Sequence, residues 1–190
     1  MARVKMIAPE EADAAQAAAY DGVIRQWGRI SNFSKVLAHQ PAALAGWMLP
    51  NGAIRLDNVK GDPDYVKVLQ LVIIKTSALN RSAYCMSHTV PLGRKVGLSE
   101  AQIAAARGSD YATSAALDAR QKAALHWADA VTTMTARDDD AAFAAMQQHF
   151  TEKQIVEITV FCGMWNYSNR LCEALHVDLE HPDKRIEFQE

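Results

Sequence analysis

The sequence predicts an all-α protein, and three observations carry that reading. Alanine is abundant along the chain, while glycine and proline together number only fifteen among 190 residues, which favours long helices over sheets. Helix-start signals recur, as in Asp62 before Pro63, Ser99 three residues before Gln102, and Thr151 three before Gln154. The one run that reads as a strand, the β-branched stretch 66–74, has no second run of comparable quality to pair with.

Taken in order, a first helix is expected over 9–27, with Pro9 in its first turn, Glu10, Glu11 and Asp13 complementing its positive end, and Gly28 closing it. A second is expected over about 42–56, after Pro41, with a kink or break at Pro50. Asp62 caps a third, reaching about residue 78, whose apolar middle marks it as a buried central helix. A fourth covers 82–96, with Pro91 inside it and Gly97 ending it in the left-handed region. A short helix from Ser99 to near Gly108, a long one over about 114–135, a short one over 139–149, and a last one from Thr151 to as far as Val177 complete the pattern. Residues 1–177 read as one helical domain. Residues 178–190, charged and containing Pro182, read as an extended tail packing on a neighbour.

Charge and composition narrow the function classes. Twenty Lys and Arg against twenty-two Asp and Glu leave a formal charge of −2, with no basic block to neutralise phosphates, which argues against a nucleic-acid partner. No apolar run approaches the roughly 18 residues that span a bilayer, and the first eleven lack a secretory apolar core. The expected setting is therefore cytoplasmic, without a membrane partner. Three cysteines, an odd number, do not make a disulfide framework. Cys162 and Cys172, in one helix, would stand about 15 Å apart along its axis.

The segment 78–97, ALNRSAYCMSHTVPLGRKVG, carries the chemistry. Cys85 and His88, three apart on a helix, share a face. Cys85 also falls in the first turn after Ser82, where free backbone N–H groups and the helix dipole favour a thiolate. A nucleophile beside a base is the minimal set for covalent or thiol redox chemistry, and His88 by itself can act as a general acid or base. Against this stands the frequent burial of inert cysteines in cores. One Cys and one His supply two ligands, too few for a metal site, and no cofactor is called for.

The stretch 71–103, LVIIKTSALNRSAYCMSHTVPLGRKVGLSEAQI, resembles the core motif of the carboxymuconolactone decarboxylase and alkylhydroperoxidase-like superfamily. The Ala-Leu-Asn run, the Tyr-Cys pair, the His and the Gly-Leu-Ser-Glu capping box follow the family's order. Looser likeness extends through HQPAAL near His39 and WNYSNRL near the C-terminus. The resemblance implies the family's helical fold and a homo-oligomer, trimeric or hexameric. It also implies departures from the redox members, which carry Cys-x-x-Cys, a following His and an upstream Glu. Those positions here hold Ser82, Cys85, Thr89 and Gln70, so three of the four parts are replaced and the usual two-thiol cycle is not available. A one-cysteine cycle through a sulfenic acid stays open. The decarboxylase-like members use a histidine in this part of the helix, often where His88 falls, one position before the redox histidine, and many have a carboxylate where Cys85 stands.

Further pocket candidates are Asn166, Asn169 and Arg170, which form a polar stripe on the last helix. Arg170 either holds a substrate carboxylate by a forked pair of hydrogen bonds or pairs with an acid across a helix or subunit interface. Tyr84 either donates a hydrogen bond to a developing enolate or packs with its hydroxyl satisfied. The resemblance also brings His39 toward the pocket. The resulting expectation is a cofactor-free acid/base enzyme, of decarboxylase or isomerase type, on a small carboxylated unsaturated or lactone substrate. His88 moves the proton, Cys85 and Tyr84 assist, and Arg170, Asn166 and His39 bind. The alternatives are a one-cysteine thiol peroxidase and a non-catalytic oligomer that binds a small molecule.

Overall fold

A computed structural model describes residues 1–59 and 61–181. Among these the regular structure is entirely helical, as the composition predicts. The α-helices are α1 (Ala14–Trp27), α2 (Asn32–Leu37), α3 (Pro41–Val59), α4 (Pro63–Leu79), α5 (Ala83–Lys95), α6 (Glu100–Arg107), α7 (Ala119–Thr133), α8 (Asp140–His149) and α9 (Glu152–Ala174). None of them is long and apolar enough to cross a membrane.

The central helix is α4. It is buried almost continuously from Tyr65 to Ser77 and packs against α3, α5, α6, α7 and α9. Asp62 caps it by accepting from the Tyr65 N–H, and Pro63 takes its first position, where a missing N–H costs nothing. Its β-branched run is helical because every face is covered, so burial outweighs the small propensity penalty. Even its lysine is used internally: Lys75 Nζ donates to the Gly108 carbonyl at 3.1 Å and pairs with Asp129 of α7 at 3.1 Å. Tyr65, Leu69 and Ile73 meet Trp127, Phe161 and Trp165 in one core cluster. A second cluster joins α1, α2 and α3 to Tyr84, Cys85 and Cys172.

Several boundaries differ from expectation, each for a local reason. The stretch 9–27 is divided into a 3-10 turn, Pro9–Glu11, and α1, because Asp13 is itself the N-cap: its carboxylate accepts from the Gln16 N–H and Gln16 accepts from the Asp13 N–H. Helix α2, capped by Ser31, is too short for periodicity to show. The same capping logic shortens α7, expected from about 114, where Asp118 and Gln121 form the box; residues 110–113 make a separate 3-10 turn before it. Helix α9 stops at Ala174, before His176 turns to φ 49°. Gly28 and Gly97 do end their helices in the left-handed region, at φ 71° and 88°.

Pro50 does not break α3, which runs through it. Gln26 of α1, with its amide turned to satisfy both ends, donates to the Met48 carbonyl at 3.2 Å and accepts from the Gly52 N–H at 2.7 Å. Those two backbone groups flank the proline and are partners in a regular helix. A side chain from the neighbouring helix thus satisfies the ladder where proline disturbs it.

Beyond α9 the chain returns across its own α2 rather than extending away from it. The Asn32 side chain donates to the Asp178 carbonyl at 3.0 Å, and Asp178 Oδ2 accepts from the Ala2 N–H at 3.0 Å. Glu180 is buried. The rest of the expected tail, 182–190, lies outside the described residues.

Candidate active site

The turn between α4 and α5 sets the position of the thiol. Ser82 donates its N–H to the Ser77 carbonyl after Arg81 at φ 55°, then caps α5 by accepting from the Cys85 N–H at 3.4 Å. Cys85 therefore stands in the first turn of α5, buried, facing Cys172 and Ser168 of α9. A hydrogen bond from the Cys172 thiol, with further ones from Ser82 and Ser168, holds the Cys85 thiol below the usual thiol range although burial opposes this. The same contact, with burial, pushes Cys172 well up. Cys162, deep between α9 and α4, is pushed up to about 12 by burial.

One turn on from Cys85, His88 lines the same cavity as Cys85. Its ring lies 4.7 Å from that of Tyr84, tilted by 48°, and its Nε2 is 3.9 Å from Glu180 Oε1. Glu180 is bound on two further sides, accepting from the Tyr84 hydroxyl at 2.9 Å and from the Asn32 N–H at 2.7 Å. The Tyr84 oxygen also accepts from the Phe33 N–H at 3.0 Å. Burial, then the Glu180 charge, pushes the Tyr84 phenol far up, so it remains protonated. Its one proton is committed to Glu180, which corrects the expectation that Tyr84 donates to a reacting enolate. Tyr84 instead ties α5 to α2 and to the returning chain. Sequence reasoning missed Glu180, since nothing in a charged terminal segment marks an acid that folds back onto the site.

The cavity has a volume of about 530 Å³ and lies between α1, α2, α3, α5 and α9. Trp27, Phe33, Trp47 and Trp165 give it aromatic walls, and Asn51 and Arg55 of α3 add a polar end. Arg55 is buried at 7% exposure. Its Nε donates to Asn51 Oδ1 at 2.9 Å and its Nη1 to Gln70 Oε1 at 3.2 Å. Nη2 has no hydrogen-bond partner among the described residues. The guanidinium carbon lies 5.4, 5.5 and 5.9 Å from the ring centres of Phe161, Trp165 and Trp27. Burial lowers its pKa to about 10, which leaves it cationic at neutral pH. Among the described residues no cluster of three or more His, Cys, Asp or Glu side chains is arranged to hold a metal ion.

The expected binding residues lie elsewhere. His39 is exposed, with Nε2 2.8 Å from the Lys5 carbonyl. Asn166 knots α9 to its neighbours, accepting from Asn80 at 3.0 Å and donating to the Cys162 carbonyl at 2.9 Å and Thr132 at 3.3 Å. Arg170 is exposed and outside the cavity. The cause is helical phase: Trp165, Ser168 and Cys172 form the face of α9 that looks toward α5. The stripe of Asn166, Asn169 and Arg170 is rotated by about 100° from it. Arg55 and Gln70 were legible only as one more arginine near a helix end and as a replaced family residue.

Residues 66–130 match the sequence model of the carboxymuconolactone decarboxylase family. No curated protein matches the chain. Among solved structures, a protein of unknown function from Agrobacterium tumefaciens, described as a candidate antioxidant defence protein AhpD, is 26% identical with a TM-score of 0.66, covering 77% of this chain and 96% of its own. An uncharacterised peroxidase-related protein from Ralstonia eutropha with an alkylhydroperoxidase AhpD core is 19% identical with a TM-score of 0.77, covering 94% of this chain and 92% of its own. The debrominase Bmp8, as a cysteine-to-alanine variant in complex with 2,3,4-tribromopyrrole, is 18% identical with a TM-score of 0.72, covering 95% of this chain and 94% of its own.

Proposed function

We propose that this chain, a member of the carboxymuconolactone decarboxylase and alkylhydroperoxidase-like superfamily, is a thiol enzyme that reduces a small organic hydroperoxide at Cys85. One observation carries the reading: a buried thiol in the first turn of α5 on the wall of an aromatic cavity, with Cys172 and Ser168 of α9 beside it and its pKa held below the usual thiol range. The Cys85 thiolate attacks the outer oxygen of the hydroperoxide. An S–O bond forms as the O–O bond breaks, sulfur loses two electrons, and the departing alkoxide takes one proton from His88 to leave as an alcohol. An external thiol then attacks the sulfenic sulfur, releasing water and forming a mixed disulfide, and a second external thiol frees Cys85. These steps need no metal or organic cofactor. That a debrominase of the same fold holds a ring compound supports a substrate of similar size here.

Proton transfer at His88 on an unsaturated acid or lactone is the second reading. The observation favouring it is the buried Glu180 carboxylate 3.9 Å from the imidazole, which can orient the ring for acid/base work.

Purified protein given cumene hydroperoxide and dithiothreitol tests the first reading, and a lactone acid tests the second. Cys85→Ser is expected to fall to the background rate, and His88→Ala by about 10² to 10⁴. Peroxide turnover that survives Cys85→Ser overturns the thiol reading. Turnover of a lactone acid that is lost in His88→Ala yet kept in Cys85→Ser establishes the second.

A further inference from the structure

We propose that Arg55 is an anion anchor, and that the cavity takes a small planar carboxylic acid whose carboxylate meets this guanidinium while its ring lies among the tryptophans. Buried arginines are normally neutralised by a carboxylate, because an unpaired buried charge is costly. Around Arg55 the described partners are two neutral amide oxygens and three aromatic rings, and no acid stands within ion-pair distance of it among the described residues. Aromatic faces attract a cation but leave its charge uncompensated.

The neutrality is built in by Gln70. Its oxygen accepts from Arg55, while its nitrogen donates to the Thr89 carbonyl at 2.7 Å, a bond that a carboxylate in the same place could not make. Position 70 therefore holds Arg55 without cancelling it. Asn51 fixes Nε and Gln70 fixes Nη1, leaving Nη2, buried and without a hydrogen-bond partner, as the uncommitted arm of the fork. Arg55 lines the same cavity as Cys85 and His88, so an acid held there presents its other end within the chamber that contains them. The inference rests on that cavity being the substrate site, and it names the substrate's acidic group.

Benzoate and its neutral isostere benzamide are the probes, measured by calorimetry and thermal shift on the intact protein. Wild type is expected to bind benzoate about tenfold or more tightly than benzamide. Arg55→Met should lose that preference while keeping or raising the melting temperature, since a methionine carries no buried charge. Gln70→Glu, which supplies an internal counter-ion, should weaken benzoate by about tenfold or more as well, and it carries the test if Arg55→Met does not fold. Equal affinity for the two probes, no benzoate binding by wild type at millimolar concentration, or unchanged benzoate binding in folded Arg55→Met or Gln70→Glu each overturns the proposal. Cys85→Ala separates it from the thiol chemistry. Benzoate binding retained there with peroxide turnover lost supports both readings, whereas turnover in wild type without benzoate binding leaves the thiol reading standing and removes this one.

Discussion

Three cysteines of one chain occupy three different electrostatic settings, and their reactivity should separate accordingly. The thiolate is the nucleophile, so a thiol held below the usual range keeps reacting as pH falls, while one pushed up is silent until strongly alkaline solution. Iodoacetamide followed by peptide mass mapping should label Cys85 with a midpoint below that of a free thiol, and should leave Cys162, at about 12, and Cys172 unlabelled through neutral pH. Cys172→Ala removes the principal donor to Cys85, so the Cys85 midpoint should move upward. A midpoint that stays put would show that the cross-helix thiol contact does not stabilise the anion. Cys85 and His88 were readable as candidates because both signals are local: N-cap position and a spacing of three. Glu180 was not, because its proximity to His88 depends on how the chain returns after α9.

At the scale of elements, caps were the most legible feature and tertiary insertions the least. Asp62, Ser99 and Thr151 cap their helices as read, because the stabilising bond joins residues three apart. The fate of α3 at Pro50 was not legible, since Gln26 comes from another helix. Two glycines of α3 give a paired test. Nothing approaches a Cβ built on Gly46, so Gly46→Ala should stabilise by ~0.5–1 kcal/mol through backbone entropy. A Cβ on Gly52 would come within 2.6 Å of the Gln26 amide and displace it from two hydrogen bonds. Gly52→Ala should therefore lag behind Gly46→Ala by about 1–3 kcal/mol in denaturant titration. Equal gains would mean that Gln26 contributes nothing to carrying the helix past its proline.

Across the whole molecule the stability resides around α4, where five helices meet one covered on all sides. Leu69→Ala, at a position with no exposure, should cost about 2–5 kcal/mol, against about 0.5 kcal/mol or less for Leu49→Ala, whose side chain is 75% exposed. The ratio of the two in chemical denaturation checks the assignment of the core. Amino-acid order alone determined the helical class, the central helix, most helix ends and the segment carrying Cys85 and His88, because capping, periodicity and composition act over a few residues. Only the tertiary structure decided which polar groups share the cavity. It turned Arg170 to solvent, committed Asn166 to neighbouring helices, and brought Arg55, Gln70 and Glu180 around the site from α3, α4 and the returning chain. The phase of one helix against another is fixed by packing many side chains at once, and no short window of sequence contains that information.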